Sequence, residues 1–356
     1  MRYVQDAIPE GEKIRVLVVD DSMLMRRMIS RVFETDASIE LVGVACNGIE
    51  ALAKIPQLRP HLVTLDVEMP ELDGMETLCE IVAHYPAVRV VMLSSLTEQG
   101  AQITIDALMH GASDYVTKPS PGNAAAFESL ATDLLFKVKQ FFPRTRDASP
   151  RLPVASLFRP RRASMPADVC AIGVSTGGPS ALLDALPMFP ATYALPIVIV
   201  QHMPILFTQL LADRLNGVCA ISVVEGRDGM ILQPGVAIIA PGGSHMRVVR
   251  SGGSVVIRLD DGPKENSCRP AVDVLFRSIV EAFDGRAIAA ILTGMGQDGL
   301  VGAQLLKARG ATILAQDRAT SVVWGMPGAV VAANLADAVL PLNEIVPEIL
   351  CRSGAR

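Results

Sequence analysis

Short aliphatic runs that end in a charged, hydroxylic or glycine-rich turn recur along this chain, and that spacing leaves few folds open. In the first part the runs are 14–19, 40–45, 62–65, 88–93 and 113–117. Helix-period stretches such as Met23 to Phe33 and Leu130 to Phe142 lie between them. Runs without polar alternation suit strands buried on both faces. Strands alternating with helices build a parallel βαβ sheet with right-handed crossovers. The run ends carry the chemistry. Asp20 and Asp21 close the first run, Asp66 the third, Ser94-Ser95 the fourth, and Lys118-Pro119 the fifth. All of these fall at the C-terminal edge of one sheet, where doubly wound folds place their sites. Ser22 stands where it can cap the first helix.

The 356 residues suggest two domains, and with half of them apolar each can bury a core of its own. A net charge of −5 without a basic stripe argues against nucleic acid as a partner. The six cysteines (Cys46, Cys79, Cys170, Cys219, Cys268 and Cys351) form no C-x-x-C pair, which suits reduced thiols rather than staples or a zinc site. Met1 to Lys13 lacks an apolar signal core, and no run approaches the roughly 18 apolar residues of a membrane span. A cytoplasmic protein without membrane insertion is expected.

Pro143 to Pro166 breaks the pattern. It holds Arg144, Arg146, Arg151, Arg159, Arg161 and Arg162, keeps no periodicity, and reads as an exposed linker. Its arginines suit either a solvated tether or docking on an acidic surface. The organisation expected is 1–142, a 143–166 linker, and 167–356. In the last part aliphatic runs sit at 169–174, 195–200, 236–240, 254–259, 287–293, 311–315 and 338–340. Gly252-Gly253 joins two strand-like runs as a hairpin, so a mixed, mostly parallel sheet is predicted.

Asp20, Asp21 and Asp66 offer hard oxygen ligands that suit Mg²⁺ better than Zn²⁺. A carboxylate beside that ion can accept a phosphoryl group, because the metal neutralises transition-state charge. Lys118 would pair with a phosphoryl oxygen and the Ser94 hydroxyl would sense it. The order Asp20-Asp21, Asp66-Val-Glu-Met-Pro-Glu-Leu-Asp73-Gly74 and Lys118-Pro119 closely resembles the receiver domain of two-component response regulators, a flavodoxin-like (βα)5 fold, over 14–135. The resemblance implies that Asp66 takes phosphate from a histidine kinase and that the main-chain carbonyl of Glu68 completes the Mg²⁺ shell.

In the last part, Gly173-Val-Ser175-Thr-Gly177 matches G-x-S-x-G, a strand-to-helix turn that exposes a serine. The helix that follows would aim free N–H groups at a developing oxyanion. A nucleophilic serine needs a base, and this part holds two histidines, His202 and His245. His202 follows the run 195–200 at the strand end where Ser175 is expected, which favours it; His245, in a loop after Gly242-Gly243, remains the alternative. Asp298, after the run 287–293, suits the orienting acid.

These motifs, with Gln201-His202-Met203, Thr293-Gly-Met-Gly-Gln-Asp298-Gly299, and Ala315-Gln-Asp317 through Gly325-Met-Pro327, resemble the chemotaxis protein-glutamate methylesterase family, CheB. The segments Asp261-Gly-Pro to Arg269-Pro and Val272 to Phe276 fit as well, with variation over Lys264 to Cys268. The resemblance implies Ser175 as nucleophile, His202 as base and Asp298 as orienting acid, with Thr176 and Met295 bordering the site through oxyanion contacts. It implies hydrolysis of glutamyl methyl esters on chemoreceptor cytoplasmic helices, glutamine deamidation at similar sites, and no cofactor in the catalytic domain. A receiver joined to a hydrolase further suggests inhibition that phosphorylation relieves.

Two rival readings stand beside this one. Gly294-Met-Gly296-Gln-Asp-Gly299 matches the dinucleotide fingerprint G-x-G-x-x-G, with Asp317 after the next strand as its acid. Asp298 inside that loop would repel a pyrophosphate by on the order of 1–4 kcal/mol. A response regulator with a non-enzymatic, DNA-binding output would need a basic recognition helix, and none is visible after residue 166.

Overall fold

The computed structural model describes residues 8–9, 11–95, 97–119, 124–142 and 166–354. Apart from Pro166, the expected linker lies outside the described residues. The chain divides into two compact units, residues 1–152 and 153–356. Among the described residues, no helix is long and apolar enough to cross a membrane.

The first unit is a five-stranded parallel sheet in the order β2-β1-β3-β4-β5. Its strands are β1 (Ile14–Val19), β2 (Ile39–Ala45), β3 (Leu62–Asp66), β4 (Arg89–Ser94) and β5 (Asp114–Thr117). Every residue of β3 and β4 is buried, as expected when helices cover both faces. The helices are α1 (Met23–Glu34), α2 (Gly48–Leu58), α3 (Gly74–His84), α4 (Glu98–Met109) and α5 (Ala124–Phe141). The starts of α1 to α4 follow capping chemistry. The Ser22 hydroxyl accepts from the Met25 N–H, and Asp73 with Glu76 forms a reciprocal capping box on α3. The chain turns back between β1 and β3, so Asp20 and Asp66 share the crevice at that switch point.

The second unit is a seven-stranded sheet in the order β14-β13-β12-β6-β7-β9-β8. The strands are β6 (Val169–Val174), β7 (Ile197–Gln201), β8 (Ser222–Glu225), β9 (Val236–Ile239), β12 (Ala287–Ile291), β13 (Thr312–Gln316) and β14 (Ala338–Leu340). All six pairings are parallel. The hairpin is present, with β10 (His245–Ser251) and β11 (Ser254–Asp260) pairing antiparallel across Gly252-Gly253. It forms a sheet of its own, so the mixed sheet expected from sequence is corrected to a fully parallel one beside a separate ribbon. Strand β8 was not anticipated, because Ser222-Val-Val-Glu225 is short and only Val223 is buried.

Helices α6 (Gly178–Ala185), α7 (Phe207–Asn216), α8 (Val272–Phe283), α9 (Leu300–Ala308), α10 (Met326–Ala332) and α11 (Leu342–Ser353) complete the unit. Helix α8 is the most deeply packed. Val272, Leu275, Phe276 and Ile279 pack in one cluster with Ala171 of β6, Ala289 of β12 and Val248 of the hairpin. Phe276 is fully buried there. Phe276→Ala should cost about 3–5 kcal/mol of unfolding free energy, through lost transfer and cavity terms. Urea titration followed by near-UV circular dichroism measures it, and a change under 1 kcal/mol would contradict this packing account.

Candidate active site and phosphoacceptor pocket

Strands β12, β6 and β7 lie side by side at the centre of the second sheet, and each leads into a loop that carries a residue of the expected hydrolytic set. Val174 of β6 pairs with Gln201 of β7, so Ser175 and His202 leave the sheet together. The His202 N–H donates to the Val174 carbonyl at 3.2 Å. On the other flank, the Ser175 N–H donates to the Thr293 carbonyl beyond β12 at 3.0 Å. Asp298 lies further along that loop, and its Oδ2 is 2.7 Å from His202 Nε2. The imidazole–carboxylate pair therefore spans the end of β6, the strand that carries the serine.

Asp298 is 1% exposed and fully engaged. It accepts from the N–H groups of Val272, Asp273 and Gly299 at 2.7, 3.0 and 2.9 Å, and from Asn266 Nδ2 at 3.1 Å. Burial alone would raise its pKa, but the His202 bond and the backbone donors outweigh burial and lower it. Burial likewise acts to lower the His202 pKa, and the bond to the Asp298 carboxylate reverses this and raises it. A carboxylate only accepts, so the ring's Nε2 carries the proton, and Nδ1 is the nitrogen left to take one. Nδ1 faces the Cys268 sulfur at 3.4 Å, and no hydrogen bond joins it to the Ser175 hydroxyl.

The loops are held by groups that sequence reasoning did not single out. Gln201 Nε2 donates to the Ser175 carbonyl at 2.9 Å and to the His202 carbonyl at 3.2 Å, so one amide pins both backbones. A Cβ at Gly178 would lie 1.8 Å from Gln201 Oε1, and one at Gly294 would lie 2.8 Å from Ser175 Cβ. Two of the glycines are thus spent on close approach. Thr293 Oγ1 donates to the Thr176 carbonyl at 2.9 Å, which fixes the turn after Ser175. Thr176 is buried and Met295 half-buried at the loop surface.

His245 goes elsewhere. It is the first residue of β10 rather than a loop residue, is 1% exposed, and bonds the Pro263 carbonyl through Nε2 at 2.9 Å. Asp317 is spent on the turn after β13, where it accepts from the Thr320 N–H at 2.9 Å. Asp298, for its part, sits inside the glycine loop with its charge committed. The dinucleotide reading thus loses its acid to other work, and its glycine loop keeps a carboxylate where a pyrophosphate would sit.

In the first unit, carboxylate oxygens of Asp20, Asp21 and Asp66 lie within 4.8 Å of one another, the first and third buried, the second exposed. An all-oxygen set of this size suits a hard cation. Lys118 Nζ lies 2.8 Å from Asp20 and 2.7 Å from Asp66. Burial raises the Asp66 pKa to about 6, with the Asp20 charge adding and Lys118 opposing. The Lys118 ammonium, which burial disfavours, is raised instead by the two acids. Ser94 is fully buried; its hydroxyl donates to the Gly100 carbonyl at 3.1 Å and accepts from Thr104 Oγ1 at 2.5 Å.

Family models agree with this division. Residues 170–349 match the model described as CheB methylesterase, and residues 16–126 match the response regulator receiver domain. A protein-glutamate methylesterase/protein-glutamine glutaminase of Trichodesmium erythraeum is 47% identical over 96% of this chain and 99% of its own length. This chain belongs to the CheB methylesterase family. A family member from Thermotoga maritima is 41% identical over 95% of this chain and 98% of its own length. The crystal structure of the Thermotoga maritima CheB methylesterase catalytic domain aligns with a TM-score of 0.51 at 41% identity, covering 52% of this chain and 98% of that one. The chain thus joins a receiver domain to a CheB-type catalytic domain, and both sites described above fall inside the matched segments.

The raised Asp66 pKa has a sign that can be checked. Between about 4 and 6 the folded receiver domain holds a proton that the unfolded chain, at 3.8, has released. Stability must therefore fall as pH rises through that window, and the full cost stands above it. In metal-free buffer at pH 8, Asp66→Asn should stabilise the receiver domain by on the order of 2–3 kcal/mol, and by much less at pH 4. Thermal melts in EDTA at the two pH values test this. An equal effect at both would refute it.

Proposed function

We propose that this chain hydrolyses γ-glutamyl methyl esters on the cytoplasmic helices of chemoreceptors, releasing methanol, and deamidates glutamines at similar positions. The reading rests on the names its relatives bear and, above all, on the His202–Asp298 pair lying across the strand end that presents Ser175. Ser175 Oγ bonds to the ester carbonyl carbon as its proton passes to His202 Nδ1. The imidazolium, held by Asp298, then returns the proton to the departing methoxide, which leaves as methanol. Water repeats the sequence in reverse on the acyl-enzyme, freeing the glutamate carboxylate. Thr176 and Met295, from the turns after β6 and β12, border the carbonyl oxygen. No cofactor enters these steps.

The receiver domain is the control element in this reading. Asp66 is the phosphoacceptor, supplied by a histidine kinase, with Lys118 pairing the phosphoryl group. Mg²⁺, held by Asp20, Asp21, Asp66 and the Glu68 carbonyl, supplies charge neutralisation during transfer. Ser94 reports the phosphoryl group by exchanging its bonds to Gly100 and Thr104 for a phosphoryl oxygen. We divide the chain at 1–142, 143–166 and 167–356 and place it in the cytoplasm.

Methanol release from methylated receptor tests the assignment. His202→Ala and Ser175→Ala should each lower kcat by about 10⁴-fold or more, as in other serine triads. His245→Ala should retain kcat within about tenfold, after allowance for any loss of fold. Retained hydrolysis in His202→Ala would overturn the base assignment. Residues 167–356 alone should act faster than the unphosphorylated full chain. Equal rates would remove the receiver from the control scheme.

A further inference from the structure

The thiol against the catalytic imidazole is unused by this mechanism, and it does not stand alone. Cys268 Sγ, His202 and Asp298 form a bonded row, 3.4 Å from sulfur to Nδ1 and 2.7 Å from Nε2 to the carboxylate. A tight turn aims the cysteine. The Glu265 and Cys268 backbones exchange hydrogen bonds at 3.1 and 2.8 Å, and the two residues between them, Asn266 and Ser267, take φ of 50° and 65°. Positive φ at two consecutive non-glycine residues costs energy, and such strain clusters at functional sites. Asn266 secures the turn to the acid itself, donating to Asp298 Oδ1 and to Asp273 Oδ2, each at 3.1 Å. The same short turn thus grips the orienting acid and presents a sulfur to the base.

Sulfur and serine need the same atom. Nε2 is committed to Asp298, so Nδ1 alone can receive a proton, whether from Ser175 Oγ–H or from Cys268 Sγ–H. Cys268 is half-buried; among the described residues no other cysteine makes a hydrogen bond to a histidine.

We propose that Cys268 is both a positioning residue and a modification site of the hydrolytic centre: its thiol holds His202 Nδ1 between turnovers, yields it to Ser175 during reaction, and silences the enzyme once capped. The inference rests on the reading of His202 as the base. Capping by a soft electrophile such as iodoacetamide balances simply. Nδ1 accepts the thiol proton, a sulfur lone pair bonds to the methylene carbon, the C–I bond breaks, and iodide leaves. The added carbamidomethyl group then occupies the space beside Nδ1 that the Ser175 proton must cross.

The test is the rate of carbamidomethylation in the full-length protein at pH 7, resolved residue by residue by peptide mass mapping. Cys219, also half-buried, is the internal reference. Cys268 should react about tenfold or more faster than Cys219. His202→Ala, and His202→Asn as a second variant, should slow Cys268 at least tenfold and leave Cys219 unchanged. Loss of ester hydrolysis should track occupancy at Cys268, and Cys268→Ser, which keeps a hydrogen-bonding group at the imidazole, should resist iodoacetamide. Cys268 reacting at the Cys219 rate, or indifferent to His202, overturns the proposal; so does inactivation of Cys268→Ser as fast as the native protein. The alkylation readout needs no ester substrate. Should His202→Ala still hydrolyse ester while the thiol responds as stated, the functional reading fails and the thiol–imidazole pairing stands.

Discussion

One bond organises the catalytic domain. The His202–Asp298 contact joins loops from strands on opposite sides of β6, and it can form only because β12, β6 and β7 are neighbours running in the same direction. The parallel sheet supplies the neighbourhood, and the loops supply reach. The acid is held by three backbone N–H groups and one side-chain amide, so its position does not rest on the histidine alone. A charge buried this way is stable because every lone pair has a partner, and it then dictates which ring nitrogen keeps its proton.

The two domains treat buried carboxylates in opposite ways. Asp298 is surrounded by donors and is driven toward the charged form. Asp66 shares its pocket with Asp20 and Asp21 and has one lysine between them, so its charge is held at a cost. The first arrangement is finished, since an orienting acid must stay ionised and still. The second leaves negative charge short of compensation, which is the state that favours a divalent cation. Both rest on the same architecture, acids at the carboxyl ends of parallel strands, and differ only in what the loops bring to meet them.

Much of this was readable from the chain. Unbroken aliphatic runs gave strand positions within two residues for β1 to β5, because strands buried on both faces carry no other pattern. The strand-end argument separated His202 from His245, although it misplaced His245 in a loop. Strand β8 escaped because an edge strand needs little apolar surface. The separate hairpin sheet escaped because a turn signal shows that two strands pair, not which sheet they join. The partners Gln201, Asn266 and Cys268 escaped for a different reason. Their roles come from contacts across 26 to 66 positions, and nothing in local periodicity encodes a contact of that span. The variable stretch Lys264 to Cys268 looked peripheral in sequence and lies against the base in space.

The fit between Gly178 and Gln201 carries a consequence for how this enzyme can change. The absent methyl at one position and the amide oxygen at the other claim a single volume. Enlarging the glycine alone would push the amide off the two carbonyls it clasps. Shortening the glutamine alone would leave those carbonyls without their common donor. The two sites are therefore locked into joint substitution, and descendants of this chain can cross from one pairing to another only by way of an intermediate that loosens serine and histidine together.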